Sequence, residues 1–375
     1  MKWLNDSKIR LVLFVFVAAI VIGGGSAKAD FTFSARENLG DVVNSPYGDY
    51  DPFIAPDGLS LYFCSNRPGG LGEEDIWVTM RATVSDPWGP PVNLGAPVNS
   101  EYRDGLPSIT ADGLTLAFSS DRSGGLGRFD IWLANRQTKE SLWDPPTNLG
   151  SPINSAGPEY CGCISPDGCS LYFAIALSPY PYNPDFYSGG DIYVTTRPTR
   201  DSPWGPPEDL GMMPSHGGSG NWDPSISGDG LALFFDSDYV DVDLLPDIWL
   251  ATRTSADSSW GIPILLGPEI NTSDGEERPS ISADGSTLYW CSGGLSLNTW
   301  DLWQSSISPI VDFNSDGNID TDDLLTMINN WGTSETLCDI GPMPWGDGVV
   351  DIEDLKVFMS YWEQENMPQE LEDDL

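Results

Sequence analysis

Short apolar runs with strand character recur along residues 31 to 307, and turns separate them. Every unit has a turn that ends in Asp-Gly, and the five aspartates, spaced by 55, 55, 62 and 55 residues, are Asp57, Asp112, Asp167, Asp229 and Asp284. An Asp-Ile-Trp triplet or a close variant follows each turn, and Trp-Gly-x-Pro or a close variant follows four of them. Each unit therefore predicts four short strands: one before the Asp-Gly turn, one after it, one at the triplet and one at an Asn-Leu-Gly sequence.

Four strands per repeat are the unit of a β-propeller blade. The repeats begin out of phase, because Asn38-Leu39-Gly40 is an outermost strand that precedes the first innermost strand, while the fifth unit ends after its third strand. We expect this N-terminal strand to complete the last blade, which closes the ring and removes both open sheet edges. The sequence thus predicts an all-β, five-bladed propeller with four-stranded blades over residues 30 to 307.

Residues 119–132, with the sequence SSDRSGGLGRFDIW, resemble the WD-repeat-like propellers of the TolB type, which occur in many exported bacterial proteins. The resemblance covers about three quarters of the chain. It implies the fold but no single function, because propellers serve as scaffolds, binding proteins and enzymes alike.

Charge and composition narrow the function classes. The 56 Asp and Glu residues outnumber the 17 Lys and Arg residues, which gives a formal net charge of −39. A protein with this net negative charge repels the phosphates of nucleic acid, so nucleic acid is not an expected partner. His216 is the single histidine. This excludes two-histidine zinc sites and leaves at most one Ser-His or Cys-His pair.

The N-terminus predicts export. Lys2, Lys8 and Arg10 flank an apolar run over residues 11–22, and Ala27-Lys28-Ala29 is a small-residue cleavage site. The alternative is a membrane anchor, but the run is short of the roughly 20 residues that a spanning helix needs. We therefore expect residues 1–29 to be a cleaved signal peptide, and the mature protein to be secreted, periplasmic or at the cell surface without a stable membrane span.

The chain has six cysteines, a number compatible with an oxidising compartment. Cys161 or Cys163 could bridge to Cys169 across a tight hairpin, but the connectivity cannot be deduced from sequence. Cys64 and Cys291 occupy the same place in two repeats, where a small buried apolar residue is the alternative to a disulfide.

The pattern changes after Ser305, where a calcium-binding loop is predicted. Positions 1, 3, 5, 7, 9 and 12 of this loop are Asp312, Asn314, Asp316, Asn318, Asp320 and Asp323. A hard cation takes six to eight oxygen ligands, and Gly317 suits the sharp turn at position 6. The alternative is a solvated acidic turn with no ion.

A helical pattern follows this loop at residues 324–331 and recurs at 355–362. A second loop precedes the second helix, with Asp347, Val349, Asp351 and Asp354 in its back half. Counting back places Met343 and Trp345 at the first and third ligand positions, where neither side chain can coordinate calcium. Asp339 could supply the first ligand if residues 341–344 make a longer excursion.

Two calcium loops, each followed by one helix, resemble the dockerin module that attaches cellulosomal enzymes to cohesin domains. In that family the residues at loop positions 10 and 11 help to choose the cohesin. Here they are Thr321-Asp322 and Ile352-Glu353 rather than the small hydroxyl pair often seen. The resemblance implies a small α-helical, calcium-dependent domain at 308–365, with an acidic tail at 366–375, and a cohesin-like protein as a possible partner.

Carboxylates are the remaining catalytic candidates, since some five-bladed propellers, such as arabinanase-type glycoside hydrolases, carry an acid and a base at the central axis. Eight residues before each Asp-Gly aspartate stand Asp49, Asp104, Glu159, Asn221 and Glu276. We expect these residues to form a band around one mouth of the channel, where the acids hold a cation, bind sugar hydroxyls or cap loop amides.

A nearly symmetric ring gives its acids similar environments, which argues against separate acid and base roles. Asp51 and Asp223, each in an Asp-Pro pair, break the symmetry and are the catalytic candidates if the protein is an enzyme.

An enlarged connection in the third unit, residues 179–187, shares the face of the acidic band. Its four aromatic residues, which suit stacking on sugar rings or an apolar peptide or could instead cover a gap between blades, are Tyr180, Tyr182, Phe186 and Tyr187.

Together these patterns predict an exported, calcium-dependent binding and assembly protein. Its propeller would recognise a glycan or a protein, and its C-terminal module would dock to a partner. The alternative is a glycoside hydrolase or lyase that acts on polysaccharide through the propeller carboxylates.

Overall fold

The computed structural model describes residues 31–180, 183–212, 220–238, 245–294 and 300–366. The predicted signal peptide, His216 and all but the first residue of the acidic tail lie outside these ranges. Within them, no helix is both long enough and apolar enough to cross a membrane.

The described strands form five antiparallel sheets. The chain begins with β1 (Phe31–Phe33) and β2 (Glu37–Asn38). Blade 1 consists of β3 (Asp49–Ile54), β4 (Ser60–Ser65), β5 (Asp75–Met80) and β6 (Val92–Asn93). Blade 2 consists of β7 (Asp104–Ile109), β8 (Thr115–Ser120), β9 (Asp130–Asn135) and β10 (Thr147–Asn148). Blade 3 consists of β11 (Glu159–Ile164), β12 (Ser170–Tyr180), β13 (Asn183–Thr196) and β14 (Glu208–Asp209). Blade 4 consists of β15 (Asn221–Ile226), β16 (Ala232–Ser237), β17 (Asp247–Thr252) and β18 (Ile264–Leu265), and blade 5 contains β19 (Gly275–Ile281), β20 (Thr287–Gly293) and β21 (Asp301–Pro309).

The N-terminal strands complete blade 5. In β2, Asn38 pairs with Trp303 of β21, and β1 continues along the same strand, where Phe33 lies opposite Ile307. The predicted closure of the ring is therefore confirmed, as are five blades of four strands. Pairing the two ends of the propeller removes the open edge that β21 would otherwise present.

Large aromatic side chains fill the space between blades. One fully buried aromatic residue occupies the same register position on the second strand of every blade: Phe63, Phe118, Phe173, Phe235 and Trp290. The tryptophans of the Trp-Gly-x-Pro sequences and their variants lie beneath arginine guanidinium groups at 4.1 to 4.4 Å from the ring centroids. The repeated tryptophans thus pack within the propeller, as expected for positions that recur in each unit.

Apolar side chains line the axis at the end where the Asp-Gly turns lie. The last residue of each innermost strand is an isoleucine: Ile54, Ile109, Ile164, Ile226 and Ile281. Four of the five, together with Phe53 and Cys163, line a small cavity on this part of the axis. The polar end of the axis is therefore the opposite one, where the innermost strands begin.

All six cysteines are free, so the structure contains no bridge from Cys161 or Cys163 to Cys169. Cys161 and Cys163 instead face core positions of β11 and pair in register with Phe173 and Tyr172 of β12. They act as small buried apolar residues, which is also the environment of Cys64 and Cys291.

A small helical module follows β21. It contains α1 (Thr321–Asn329), a 3₁₀ turn (Thr336–Cys338) and α2 (Ile352–Asn366). Its own apolar core consists of Val311, Phe313, Met327, Cys338, Ile340, Val350 and Phe358.

The module contacts the propeller through Trp345. Its indole nitrogen donates a hydrogen bond of 2.9 Å to Asp229 Oδ2. The Trp345 ring packs edge to face against Phe31 and Phe234, with centroids 6.4 and 6.2 Å away. The expected contact with blade 5 is present and extends to blade 4.

Candidate functional site

The mouth of the axis where the innermost strands begin carries strained backbone. Each innermost strand has a β-bulge after its second or third ladder pair. Four non-glycine residues at these bulges have φ between 49° and 60°: Asp51, Leu106, Asp223 and Arg278. Such a conformation is unfavourable for L-residues and persists where the surrounding structure enforces it, often at functional sites.

Three of these bulge residues meet. The Arg278 guanidinium forms ion pairs with Asp51 through Nη1 and with Asp223 through Nε, the latter at 3.3 Å. Asp51 also accepts a hydrogen bond of 2.8 Å from the Leu106 backbone N–H. The two sequence candidates Asp51 and Asp223 therefore lie on one arginine that joins blades 1, 4 and 5.

Three more acids surround Arg278. Glu277 lies 3.8 Å from its Nε, and Asp236 accepts a hydrogen bond of 3.0 Å from its backbone N–H. Glu74 of blade 1 interacts electrostatically with Arg278. We call Asp51, Asp223, Asp236, Glu277, Glu74 and Arg278 the axial cluster.

Burial gives these carboxyls different proton affinities. Burial raises the pKa of Asp223 to about 6 and that of Glu277 to about 7, against the opposing charge of Arg278. Burial and the negative charge of the neighbouring Asp223 raise the pKa of Asp236 well above its usual range, and the two side chains are within hydrogen-bonding reach of each other. The environments of acids in this cluster thus differ, which is the condition for separate acid and base roles.

Sequence reasoning missed Asp236, Glu277, Arg278 and Glu74. An alignment of the repeats contains the signal, because the residues that correspond to Asp236 in the other blades are Cys64, Ser119, Ala174 and Cys291. Likewise, the residues that correspond to Glu277 are Tyr50, Gly105, Tyr160 and Trp222. A charge at a position that is uncharged in every other repeat marks a residue that packing does not require.

The acids of the predicted band lie outside the axial cluster and have different hydrogen-bond partners. Asp49, Asp104, Glu159 and Glu276 are completely buried. Each accepts a backbone hydrogen bond and a hydroxyl hydrogen bond from the serine or threonine four residues earlier: Ser45, Ser100, Ser155 and Thr272. This geometry holds the loop that leads into blades 1, 2, 3 and 5. Binding of a cation or a sugar by these four acids remains a prediction.

Three acids of the band have an arginine partner, whereas none of the described arginines pairs with the fourth, Glu159. Asp49 pairs with Arg67, Asp104 with Arg122 and Glu276 with Arg36. No arginine is among the groups that act on Glu159, and burial raises its pKa to about 7.

The aromatic residues of the third unit are described only in part. The strands β12 and β13 pair as far as Tyr180 and Asn183, so this hairpin is longer than its counterparts. Tyr182 and the side chains of Tyr180, Phe186 and Tyr187 lie outside the described residues. Their predicted contact with a ligand stays a prediction.

The first predicted calcium loop is closed by its terminal acids. Asp312 accepts hydrogen bonds from the backbone N–H groups of Asp316 and Gly317. Asp323 accepts them from Phe313, Asn314 and Asp320.

The second loop repeats this arrangement. Asp339 accepts from the N–H groups of Asp347 and Gly348, and Asp354 accepts from Ile340, Gly341 and Asp351. Asp339 therefore corresponds to Asp312, and the extra residues between Asp339 and Asp347 form the excursion that carries Trp345 to the propeller.

Among the residues that the structure describes, no group of three or more His, Cys, Asp or Glu side chains converges closely enough to hold a metal ion. The donors of both loops are nevertheless carboxylate, amide and carbonyl oxygens, the ligands that calcium prefers.

Comparisons with known proteins inform the fold. No protein-family model matches the sequence, and no curated protein matches it either. Similar solved structures include a putative TolB from Agrobacterium tumefaciens (19% identity, 72% of this chain and 79% of that chain, TM-score 0.43). They also include α-L-arabinofuranosidases from Podospora anserina, in complex with cellotriose (12% identity, 76% and 98%, TM-score 0.48), and from Lactobacillus brevis (14% identity, 72% and 94%, TM-score 0.46). At these identities the similarity extends to the fold, and none of it supports a dockerin module.

Proposed function

We propose that the propeller is a glycoside hydrolase that acts on polysaccharide through the axial cluster. The observation that supports this proposal is that two buried carboxyls with raised pKa values, Asp223 and Glu277, contact one arginine at the same mouth of the axis. Glycoside hydrolysis by the usual mechanism needs two carboxyl groups of this kind, one protonated and one ionised.

The residues divide into roles according to their environments. Glu277, whose side chain is 24% exposed, holds a proton up to about neutral pH and donates it to the leaving oxygen. Asp223 is ionised above about pH 6 and acts as the base or nucleophile. Asp51 binds Arg278 through Nη1 and holds its guanidinium where Nε contacts the two reacting groups. Asp236 fixes Asp223 through their hydrogen bond.

The proposal predicts that the mature protein releases new reducing ends from a soluble polysaccharide. A panel of arabinan, xylan, β-glucan and pectin, followed by a reducing-end assay at pH 6.5, measures this. The activity should disappear in Glu277→Gln, because an amide cannot donate the proton at this pH. Release that is absent from the whole panel, or equal in the wild type and Glu277→Gln, would count against hydrolysis at the axial cluster.

We further propose that the C-terminal module is a calcium-dependent docking module. Asp312, Asn314, Asp316, the Asn318 carbonyl, Asp320 and Asp323 would hold one ion. Asp339, Asp347, the Val349 carbonyl, Asp351 and Asp354 would hold a second. The specific observation that favours docking is a set of apolar side chains in and beside α1 that are about half exposed, namely Leu325, Ile328 and Trp331. The partner would be a protein with an apolar, cohesin-like surface.

Chelation is expected to loosen the module and spare the propeller. A domain of about 50 residues has little core of its own, so bound calcium should supply much of its folding free energy. Limited proteolysis with EDTA should cut within residues 312–365, while the near-ultraviolet circular dichroism of the propeller persists. Double substitution of Asp312→Ala and Asp339→Ala should reproduce this pattern with calcium present. Equal protease sensitivity with and without EDTA would contradict calcium-dependent folding.

A further inference from the structure

Three aromatic side chains on blades 2, 3 and 4 form a row, and Trp222 at one end of this row precedes Asp223 of the axial cluster in the chain. The ring centroids of Phe129 and Tyr160 are 5.6 Å apart, and those of Tyr160 and Trp222 are 5.9 Å apart. All three residues are partly exposed. Tyr160 and Trp222 are each the second residue of an innermost strand and precede its bulge, so they lie at the same mouth of the axis as Asp223.

The position of Trp222 depends on two glycines. A Cβ atom at Gly190 would lie 2.4 Å from the indole ring, and one at Gly220 would lie 2.6 Å from its nitrogen. In the other blades, the residues that correspond to Gly190 are Glu74, Phe129, Pro246 and Trp300. Blade 3 alone has a glycine there, and this leaves room for the indole beside the axial cluster.

The mouth therefore has two unlike sides. Phe129, Tyr160 and Trp222 form an aromatic side, and the axial cluster forms a side rich in carboxylate acceptors. Ligand sites commonly combine aromatic surface with a few polar groups in this way. A sugar ring matches both sides, because its C–H groups pack on an aromatic face and its hydroxyls donate to carboxylates.

We propose that this mouth binds an uncharged glycan, with one sugar ring packed against Trp222 and Tyr160 and its hydroxyls directed to the axial cluster. The inference rests on the proposed function and specifies its substrate class. Five carboxyls lie around the guanidinium of Arg278, and the chain as a whole carries a formal charge of −39. A uronate would add a further anion to this site, so like-charge repulsion disfavours acidic polysaccharides such as polygalacturonate.

Calorimetric titration of the full-length mature protein tests this specificity. The neutral probes are arabinohexaose, xylohexaose and cellohexaose, and the acidic probe is hexagalacturonate. At least one neutral probe should bind at least tenfold more tightly than hexagalacturonate. Tighter binding of hexagalacturonate, or no binding of any neutral probe at millimolar concentration, would overturn the proposal.

Two variants test the aromatic side. Trp222→Leu keeps apolar volume but removes the aromatic face, and Gly190→Ala displaces the indole while retaining it. Each should weaken binding of the neutral probe by about tenfold. Trp260→Leu is the matched control, because Trp260 is also partly buried but lies under Arg253, 4.4 Å from the guanidinium carbon. Unchanged affinity in Trp222→Leu, with a thermal unfolding midpoint close to that of the wild type, would refute the stacking contact.

The binding and turnover readouts separate the two proposals. Neutral glycan that binds through Trp222 but is never cleaved would refute the hydrolase and retain the binding site. Cleavage that Trp222→Leu leaves unchanged in both KM and kcat would refute the binding site and retain the hydrolase.

Discussion

Asp223→Asn is expected to lower kcat/KM for a cleavable glycan by about 10²- to 10⁴-fold, the range that general acid–base catalysis typically contributes. An amide cannot take the proton from water or attack the sugar, whereas it preserves the volume and much of the hydrogen bonding of Asp223. The measurement is initial-rate kinetics on the most reactive substrate of the panel. Thermal unfolding of both proteins checks that the variant remains folded.

The pH profile of the wild type provides a second readout. Rates should rise as Asp223 loses its proton near its pKa of about 6, and fall as Glu277 loses its proton near its pKa of about 7. The expected profile is therefore a bell with its maximum between these values.

Asp121→Asn is the control for Asp223→Asn. Asp121 lies at the same end of blade 2 and accepts a hydrogen bond from the backbone N–H of Arg103 rather than from Arg278. A loss of activity as large in Asp121→Asn as in Asp223→Asn would contradict the assigned role.

Asp104→Ala is expected to lower the free energy of unfolding by about 3 to 5 kcal/mol, because it leaves a largely buried arginine without its partner. Asp104 is fully buried and pairs with Arg122, whose side chain is 11% exposed. The substitution also removes the acceptor for Ser100 and Ser120. Denaturant unfolding at pH 7 measures the change, and the exposed Asp144→Ala in the same blade should alter it by less than about 0.5 kcal/mol.

Glu159 occupies the position in blade 3 that corresponds to Asp104. Whereas Asp104→Ala should destabilise the protein, Glu159→Gln should stabilise it at high pH. Burial raises the pKa of Glu159 to about 7, so its contribution to stability is fully present below its unfolded value of about 4.3 and is lost as pH rises through 7. Glutamine removes this dependence, so at pH 8 the variant should be more stable than the wild type by about 3 kcal/mol. At pH 4 the difference should nearly vanish. A stability difference that does not change between pH 4 and pH 8 would contradict the raised pKa.

The repeat pattern was sufficient to predict the blades because each one is a local structure. The Asp-Gly turns, the strand runs and the phase offset at Asn38 lie in short, contiguous segments, and each predicts the same unit five times. The calcium-loop pattern likewise led to Asp339, which the structure places in the same hydrogen-bonding position as Asp312.

Conformation at the bulges could not be predicted in the same way. The Asp-Pro pairs single out Asp51 and Asp223, but their partner Arg278 is also followed by proline and no sequence pattern distinguishes it. The structure distinguishes Arg278 by its φ of 60° and by its ion pair with Asp51 of blade 1, which is distant in sequence but adjacent to blade 5 in the ring. Conversely, the sequence predicts Asp49 and Asp104 in a band around one mouth of the channel, and the structure buries both of them against arginines.

By itself the sequence determined the number of blades, the closing strand and the two-loop C-terminal module, because each depends on motifs whose parts are neighbours in the chain. Only the tertiary structure decided which side chains form the axial cluster and the aromatic side of the mouth. Ring closure brings blade 5 against blade 1, so that Arg278 of the innermost strand of blade 5 meets Asp51 of blade 1 as well as Asp223 of blade 4. The chemistry at that axis thus depends on charges from distant repeats, and their proton affinities depend on burial that no single repeat encodes.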